Sequence, residues 1–521
     1  MNTIADLVER ASMRFATRIA VVDGDRTLTF GEVGDRSTRL ANVLIELSPS
    51  EASRVAVLMS NRLEVIEVDF AIARAGKVKA PINPRLTDDE RRFILSNCGA
   101  EIIVTEHAEF DRVASLRHEL PALRHVINVD DAASYGDAIS RASSLRPAVV
   151  IDPNKPSMIL HTSGTTGRPK GATTSQHARV MSMLNMLLDE FSPNENDGMV
   201  HMAPMSHGSG SKILAFYTRG ARNITLPKFD PELFFKAVTT QGGTSTFVVP
   251  TMIRMLLDAP TRSNYDLSSI RNITYGGAPM PAALAEEAFN AFGPVLTQVY
   301  GSCEAPHPVT ALSMSEHVRG ENGILSSAGY PATGVQIRIV NELGEDVVTG
   351  EAGELWIRGE HVMMGYWNDE KATSEAFSDR WYRSGDVGTL SETGFLSIVG
   401  RERDMLISGG FNVYPAEVEA ALHRHRGISE AAVFGTPDQL WGEIVTAAIV
   451  VRSGHVATEE EITRHCKEFL ADYKLPRHFI FVDTLPKGTT GKVLKQDLVA
   501  IGIRERALQV QHHTPTPVET S

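Results

Sequence analysis

Apolar and polar positions along the first third of the chain alternate between two periods. RVAVLMS (54–60), VKAPIN (78–83) and EIIVTE (101–106) are short, nearly continuous apolar runs, the pattern of strands buried on both faces. Between them, 61–75 has helical spacing, with Val65, Val68, Ala71 and Ile72 on one face. IAVVDGDRTLTF (19–30) predicts a hairpin turning at Asp23-Gly24 or Gly24-Asp25. Thr29 with Glu32, and Thr87 with Glu90, have the spacing of capping boxes that start helices. Strands separated by amphipathic helices predict a mostly parallel sheet covered on both sides.

The middle of the chain keeps this texture: SMILHT, NITL, TFVVP, NITYGG and LTQVY are strand-like over 157–310. From about 328 to 400 it gives way to short strands and turns (QIRIVNELGEDV, GELWIRG, GFLSIVG), which predict a small antiparallel, barrel-like unit. A smaller α+β unit follows GRERD (400–404). Pro415 suits the first position of a helix continued by Glu417 to Leu422. AAVFG, VTAAIVV and HFIFVD are its strands, and Thr458-Glu-Glu-Glu461 caps a helix whose Ile462, Cys466, Phe469 and Leu470 share a face. The tail, 507–521, is polar and contains two prolines, and is expected to be disordered.

Composition narrows the function classes. The chain has 521 residues, 42% hydrophobic and 22% charged, enough for a large core. Its formal net charge of −13 argues against a nucleic-acid protein, which usually carries a basic face. Cys98, Cys303 and Cys466 are isolated and form neither a disulfide framework nor a metal-spaced pair. The first residues lack a secretory h-region, and no apolar run approaches a bilayer span, so a cytoplasmic protein without a membrane span is expected.

The densest chemical signal is Leu160-His-Thr-Ser-Gly-Thr-Thr-Gly-Arg-Pro-Lys-Gly171. A strand runs into a loop of Thr162, Ser163, Gly164, Thr165, Thr166, Gly167 and Lys170, where glycines let backbone N–H groups curl around an anion and hydroxyls and a lysine add donors. No Gly-Lys-Ser/Thr follows, so it is not a Walker loop. Taken alone, such a stretch also fits a flexible surface loop.

SGTTGRPKG resembles the phosphate-binding signature of the adenylate-forming superfamily, which includes acyl-CoA synthetases, firefly-type luciferases and peptide-synthetase adenylation domains. The resemblance extends in order along the chain through Tyr300-Gly-Ser-Cys-Glu304, Tyr382-Arg-Ser-Gly-Asp386, Gly400-Arg-Glu-Arg-Asp404, Gly409-Gly-Phe-Asn-Val-Tyr-Pro415 and Leu485-Pro-Lys-Gly-Thr-Thr-Gly-Lys492. It implies an α/β fold: a large N-terminal domain (1–400) of mostly parallel sheets flanked by helices, with the barrel-like subdomain at 328–400. A hinge at 401–404 would join it to a small mobile α+β C-terminal domain at 405–506.

The resemblance also implies roles for single residues. Glu304, by itself a loop carboxylate, would bind the Mg²⁺ that bridges ATP phosphates, as a hard oxygen donor suits. Tyr300, otherwise a core tyrosine, would stack on adenine, with Gly276, Gly277 and Ala278 lining the base's edge. Gly301, Ser302 and Cys303 would face the phosphates. The family usually has threonine where Cys303 stands, and a thiol is the weaker donor; Ser302 is the available substitute. Asp386, otherwise a turn former, would accept both ribose hydroxyls, and Arg401 would contact ribose or phosphate. Lys492 would be the mobile lysine that bridges the acid's carboxylate and the α-phosphate, stabilising the charge that builds there. Arg403 would be the pivot about which the C-terminal domain rotates, bringing Gly409 and Gly410 to a pantetheine tunnel. Trp441, Tyr473, Lys474 and Arg477 lie where related ligases contact CoA, although Trp441 also fits a core position and the other three an ordinary basic patch.

Met205-Ser-His-Gly-Ser-Gly-Ser-Lys212 occupies the stretch that helps line the acid pocket in the family. His207 matches a His or aromatic found there and fits a satisfied core histidine equally. Phe247, Val248, Met252, Met280 and His307 are further candidate walls. They suggest an apolar acid, fatty or aromatic, and the stretch lacks the aspartate that holds an α-ammonium. Lys212 either pairs with one of the protein's own carboxylates or meets a polar group of the substrate.

The expectation is therefore an ATP-dependent acyl-CoA synthetase that takes a small-molecule acid, ATP, Mg²⁺ and CoA, with a homodimer open as its assembly. One alternative is an adenylating ligase with an amine or carrier-protein acceptor, or one acting on a non-carboxylate oxyacid. An alternative of another class is a non-catalytic nucleotide-binding relative.

Overall fold

The computed structural model of the chain describes residues 3–512, except 51, 163–167, 320, 439–440 and 489–492; at 134, 321–323 and 505–512 it describes the backbone alone. Ser163, Gly164, Thr165, Thr166, Gly167 and Lys492 therefore lie outside the described residues.

Two large sheets share one core. The first has seven strands, with Arg54–Leu58 at its centre between Val78–Ile82 and Ile102–Thr105, all parallel. It continues through His125–Asn128 on one side and Pro156–His161 and Gly171–Ser175 on the other, the last antiparallel to its neighbour. The second has nine strands, five of which, Gly198–His201, Arg222–Thr225, Ser245–Val248, Asn272–Gly276 and Leu296–Tyr300, form its parallel centre. The hairpin Ile19–Asp23/Arg26–Thr29 closes one edge and turns at Gly24, whose φ of +60° suits a residue without a side chain. The capping boxes at Thr29/Glu32 and Thr87/Glu90 are both present.

The helix Leu63–Arg74 departs from the one-faced pattern read from its sequence: every residue in it is buried. It lies in the core shared by the two sheets, with Ile66 and Phe70 in one cluster with Val55, Val57 and Val21. Its acidic residues are tolerated because they are paired. Arg26 and Arg62 bond Glu64, Arg36 bonds Glu67, and Lys79 and Arg179 bond Asp69.

The third sheet is antiparallel and curls on itself: Val335–Val340, Gly353–Gly359, Trp381–Leu390 and Phe377–Ser378, with Leu396–Arg401 added beside Trp381–Leu390. The C-terminal unit has its own core around Val418, Leu422, Val433, Val445, Ala447 and Ile462. Pro415 starts the helix Pro415–His423, and Thr458 with Glu461 caps Glu459–Cys466. Ile462 and Cys466 are buried, but Phe469 is 43% exposed: the helix ends at Cys466 and the chain turns before Phe469 can join its inner face. A last helix, Lys495–His512, takes in the first residues of the tail, and 513–521 lie outside the described residues. All three cysteines are free thiols.

Candidate active site

Of the sequence-predicted nucleotide residues, Gly276, Gly277, Ala278 and Tyr300 sit where strands of the nine-stranded sheet end, the edge at which open α/β sheets bind ligands. Asn272–Gly276 and Leu296–Tyr300 pair in register up to Gly276 opposite Val299, so the turn after one lies beside the loop after the other. A Cβ on Gly276 would stand 2.4 Å from the Val299 carbonyl oxygen, and Gly277 has a φ of +79°. Both positions thus require glycine, and they leave Gly277 and Ala278 exposed at the sheet's end.

The loop after Tyr300 folds back sharply. The Ser302 amide donates to the Ala305 carbonyl at 2.8 Å, and the Ala305 amide donates to Ser302 Oγ at 3.0 Å. Ser302 Oγ keeps its own hydrogen for an incoming acceptor. Cys303 is half-buried against the curled sheet. A Cβ on Gly301 would meet the His307 amide nitrogen at 2.6 Å, so His307 is held directly beside the start of the loop.

Three side chains come together at Asp386. Arg401 Nε lies 2.9 Å from Asp386 Oδ1, and the Tyr300 hydroxyl donates to Asp386 Oδ2. Register explains the first contact: Asp386 and Arg401 are direct partners across adjacent strands of the curled sheet. Burial and the neighbouring carboxylate hold the Tyr300 hydroxyl well above its usual titration range, so it remains a donor. A carboxylate has about four lone-pair sites, so two remain for other donors.

A second group forms around Tyr366. Its hydroxyl donates to Glu304 Oε1 at 2.9 Å, and the Lys170 ammonium stands over its ring, 5.0 Å from the centroid. Lys170 is also bonded to Thr162: the Thr162 amide donates to its carbonyl at 2.9 Å, and its amide donates to Thr162 Oγ1 at 3.2 Å. No cluster of three or more metal-ligating side chains occurs among the described residues. A lone half-buried carboxylate at Glu304 fits magnesium, which is commonly held by one or two carboxylates together with phosphate oxygens and water.

The acid-pocket stretch closes on Phe247 and His307. Their rings stack at 5.2 Å with 5° between planes. Gly208 packs against both: a Cβ there would lie 2.7 Å from Phe247 and 3.4 Å from His307. Ser211 Oγ contacts His307 Nε2 at 3.1 Å, and His207 Nδ1 lies 2.9 Å from Ser206 Oγ. Lys212 is wholly buried and paired with Glu190, one of the protein's own carboxylates. The stretch is anchored from behind by two buried polar groups. His201 bonds Ser209 and Asn223, and Asn61 bonds the His201 and Ala203 carbonyls and the Met205 amide.

Val248 and Met280 are not with this group. Successive strand residues face opposite sides, and the Val248 side chain packs with Met280, Val200 and Ile253 in the core on the sheet's other face. Met252 is half-buried and touches both cores.

In the C-terminal unit, Arg477 stacks on Trp441 at 4.1 Å, and a Cβ on Gly409 would stand 2.4 Å from the same indole. Tyr473 stacks on Phe411 at 4.7 Å, and Lys474 pairs with Glu417 at 2.6 Å. Gly409 and Gly410 both have positive φ, in the turn between two short strands. After the last strand of the curled sheet, Glu402–Asp404 forms one turn of 3₁₀-helix, with Arg403 Nε 3.8 Å from Asp404 Oδ1. Tyr366 and Glu190 lie outside every motif read from the sequence, because each meets the candidate site only through a partner distant in the chain.

Parallel sheets flanked by helices, a curled antiparallel sheet and a smaller C-terminal unit make up the fold of the adenylate-forming enzymes. The AMP-binding enzyme family matches residues 8–367, and the AMP-binding enzyme C-terminal domain matches 417–492. The chain belongs to this family and is an acid–thiol ligase. It is 32% identical to an indoleacetate–CoA ligase of Aromatoleum aromaticum over 97% of this chain and 99% of that one. It is 32% identical to a long-chain-fatty-acid–CoA ligase of Mycobacterium tuberculosis over 90% and 92%. The solved structure of the amide bond synthetase McbA from Marinactinospora thermotolerans superposes with a TM-score of 0.87 at 27% identity, covering 95% of this chain and 99% of that one. No helix among the described residues is long and apolar enough to cross a membrane.

Proposed function

We propose that the enzyme activates an apolar carboxylic acid, aromatic or fatty, as its acyl-adenylate and transfers the acyl group to CoA. In the first half-reaction a carboxylate oxygen attacks the α-phosphorus of ATP and pyrophosphate leaves. In the second the CoA sulfur attacks the acyl carbonyl and AMP leaves. Asp386, pre-set by Tyr300 and Arg401, takes the ribose hydroxyls, and the turn at Gly276, Gly277 and Ala278 takes the base's edge. Lys170 and Ser302 donate to phosphate oxygens. Glu304 would hold magnesium, whose charge would neutralise the departing pyrophosphate. Lys492 bridges the two anions in the first step, and rotation about Arg403 brings Gly409, Gly410, Trp441, Tyr473, Lys474 and Arg477 to CoA for the second.

The observation that carries the acid class is the Phe247–His307 stack packed on Gly208. It offers apolar ring faces at a fixed distance from the nucleotide loop through the Gly301–His307 contact. A second carboxylate on the acid would find Lys212 already engaged by Glu190, so short dicarboxylates are poor substrates in this reading. Buried methylenes contribute roughly 0.8 kcal/mol each, which favours medium-chain and aromatic acids over acetate. Pyrophosphate release across acetate, octanoate, palmitate, benzoate, cinnamate and malonate tests this; preference for acetate or malonate overturns the apolar reading. The likeness to an amide bond synthetase supports one second reading, an amine acceptor, which product analysis with CoA and with amines separates.

A further inference from the structure

The hydrogen bonds around Ser211 fix the protonation of His307. Ser211 Oγ lies 2.7 Å from the Gly208 carbonyl oxygen and 3.1 Å from His307 Nε2. A carbonyl oxygen only accepts, so the one hydroxyl hydrogen of Ser211 goes to Gly208. Ser211 Oγ must then accept from His307, which places the ring's proton on Nε2. The other nitrogen, Nδ1, is left as a bare acceptor.

Two further observations give that acceptor a purpose. Among the described residues Nδ1 has no hydrogen-bond partner, yet it is not one of their sealed unpartnered polar atoms, so it keeps some accessible surface. The ring cannot readily take a second proton to become a donor. Desolvation and the Lys212 ammonium both keep it neutral, well below the usual imidazole range. Its stack on Phe247 and its contact with Gly208 hold its plane.

We propose that His307 is a specificity-determining residue that accepts, at Nδ1, a hydrogen bond from an N–H or O–H group on an otherwise apolar acid. This rests on the acid-pocket reading above and deepens it: the preferred acids are those carrying a phenolic, alcoholic or indole-type donor. A plain hydrocarbon acid would leave Nδ1 unsatisfied when the acid closes the pocket, which costs it rate relative to the donor-bearing analogue.

The test uses matched pairs of acids differing only in the donor: indole-3-acetate against benzofuran-3-acetate, and 4-hydroxycinnamate against 4-methoxycinnamate. Pyrophosphate release is measured for wild type and for His307→Phe, which keeps a ring on Phe247 but removes the acceptor. Wild type should prefer the donor acid of at least one pair by about tenfold or more in kcat/KM, and His307→Phe should lose that preference while still turning over the donor-free acid. Activation of these acids with no donor preference, or a preference that survives His307→Phe, overturns the proposal and leaves the apolar-acid reading standing. Failure of all four acids while octanoate or palmitate is activated also overturns the proposal, and failure of these four together with octanoate and palmitate overturns the apolar-acid reading instead. Nitrogen-15 NMR of histidine-labelled enzyme, with His307→Phe to assign the signal, reads the tautomer without any substrate. A protonated Nδ1 at His307 contradicts the proposal.

Discussion

Lys212 and Glu190 form an ion pair 2.5 Å apart, with both side chains at 0% exposure. The Lys212 ammonium also stands 5.4 Å from the Phe191 ring centroid and 5.3 Å from that of Phe247, so the pair underlies the Phe247–His307 stack. Burial pushes the Glu190 carboxyl up and brings the Lys212 ammonium down to about 8. Such a pair resists the removal of one partner more than the removal of both. Lys212→Met should destabilise the enzyme by about 3–5 kcal/mol, and Lys212→Met combined with Glu190→Leu should recover much of the loss. Urea titrations of the two variants check this; a single variant as stable as wild type would mean the pair carries no weight.

Asp386 gives a nucleotide-side prediction. Its two oxygens already accept from Tyr300 and Arg401, and its remaining lone pairs are assigned to the ribose. Wild type should use ATP better than 3′-deoxy-ATP by about tenfold in kcat/KM, the worth of a hydrogen bond to a charged group. Asp386→Asn should use both poorly and discriminate little between them. Equal discrimination in the variant would place the ribose elsewhere.

His361 is fully buried, and neither ring nitrogen has a hydrogen-bond partner. Desolvation lowers its titration to about 4, from an ordinary 6.5. The folded chain therefore binds fewer protons here than the unfolded chain between those values. The associated stability is present above pH 6.5 and is lost as pH falls toward 4. His361→Leu should stabilise the enzyme by about 1–3 kcal/mol at pH 8 by removing an unpaired polar ring, and by about 2 kcal/mol more at pH 5. Denaturation at the two pH values decides; a gain that does not grow at pH 5 would show that His361 is not held neutral.

The strands and caps were legible because each is a local pattern. The Thr29 and Thr87 boxes need only four residues, and the buried strands announce themselves as apolar runs. The family was legible because its motifs lie in short contiguous blocks. What the sequence concealed depends on contacts between distant segments. Leu63–Arg74 reads as one-faced, since its Glu64, Glu67 and Asp69 look solvated until Arg26, Arg36 and Lys79 are seen to pair with them. Val248 was grouped with Phe247 by proximity in sequence, whereas strand alternation sends them to opposite faces. The partner of Lys212 lies 22 positions away in an ordinary acidic pair, with no spacing to mark it.

In the proposed mechanism Lys492 and Arg403 would divide the reaction between two domain orientations. Lys492→Ala should lower adenylate formation by about 10²–10³, the usual cost of losing one charge-stabilising donor, and spare thioester formation from supplied acyl-adenylate. Single-turnover assays of the two half-reactions check this, and equal losses in both would mean Lys492 serves both states.

The central claim is that the enzyme makes an acyl-adenylate and hands it to CoA. A rapid-quench experiment with ATP, CoA and an apolar acid, with nucleotides and thioester separated by chromatography, tests it most directly. The account predicts AMP, pyrophosphate and acyl-CoA in equal amounts, with acyl-adenylate accumulating when CoA is withheld and no turnover without acid. ADP and phosphate as the main products, or nucleotide turnover that ignores the acid, would contradict it.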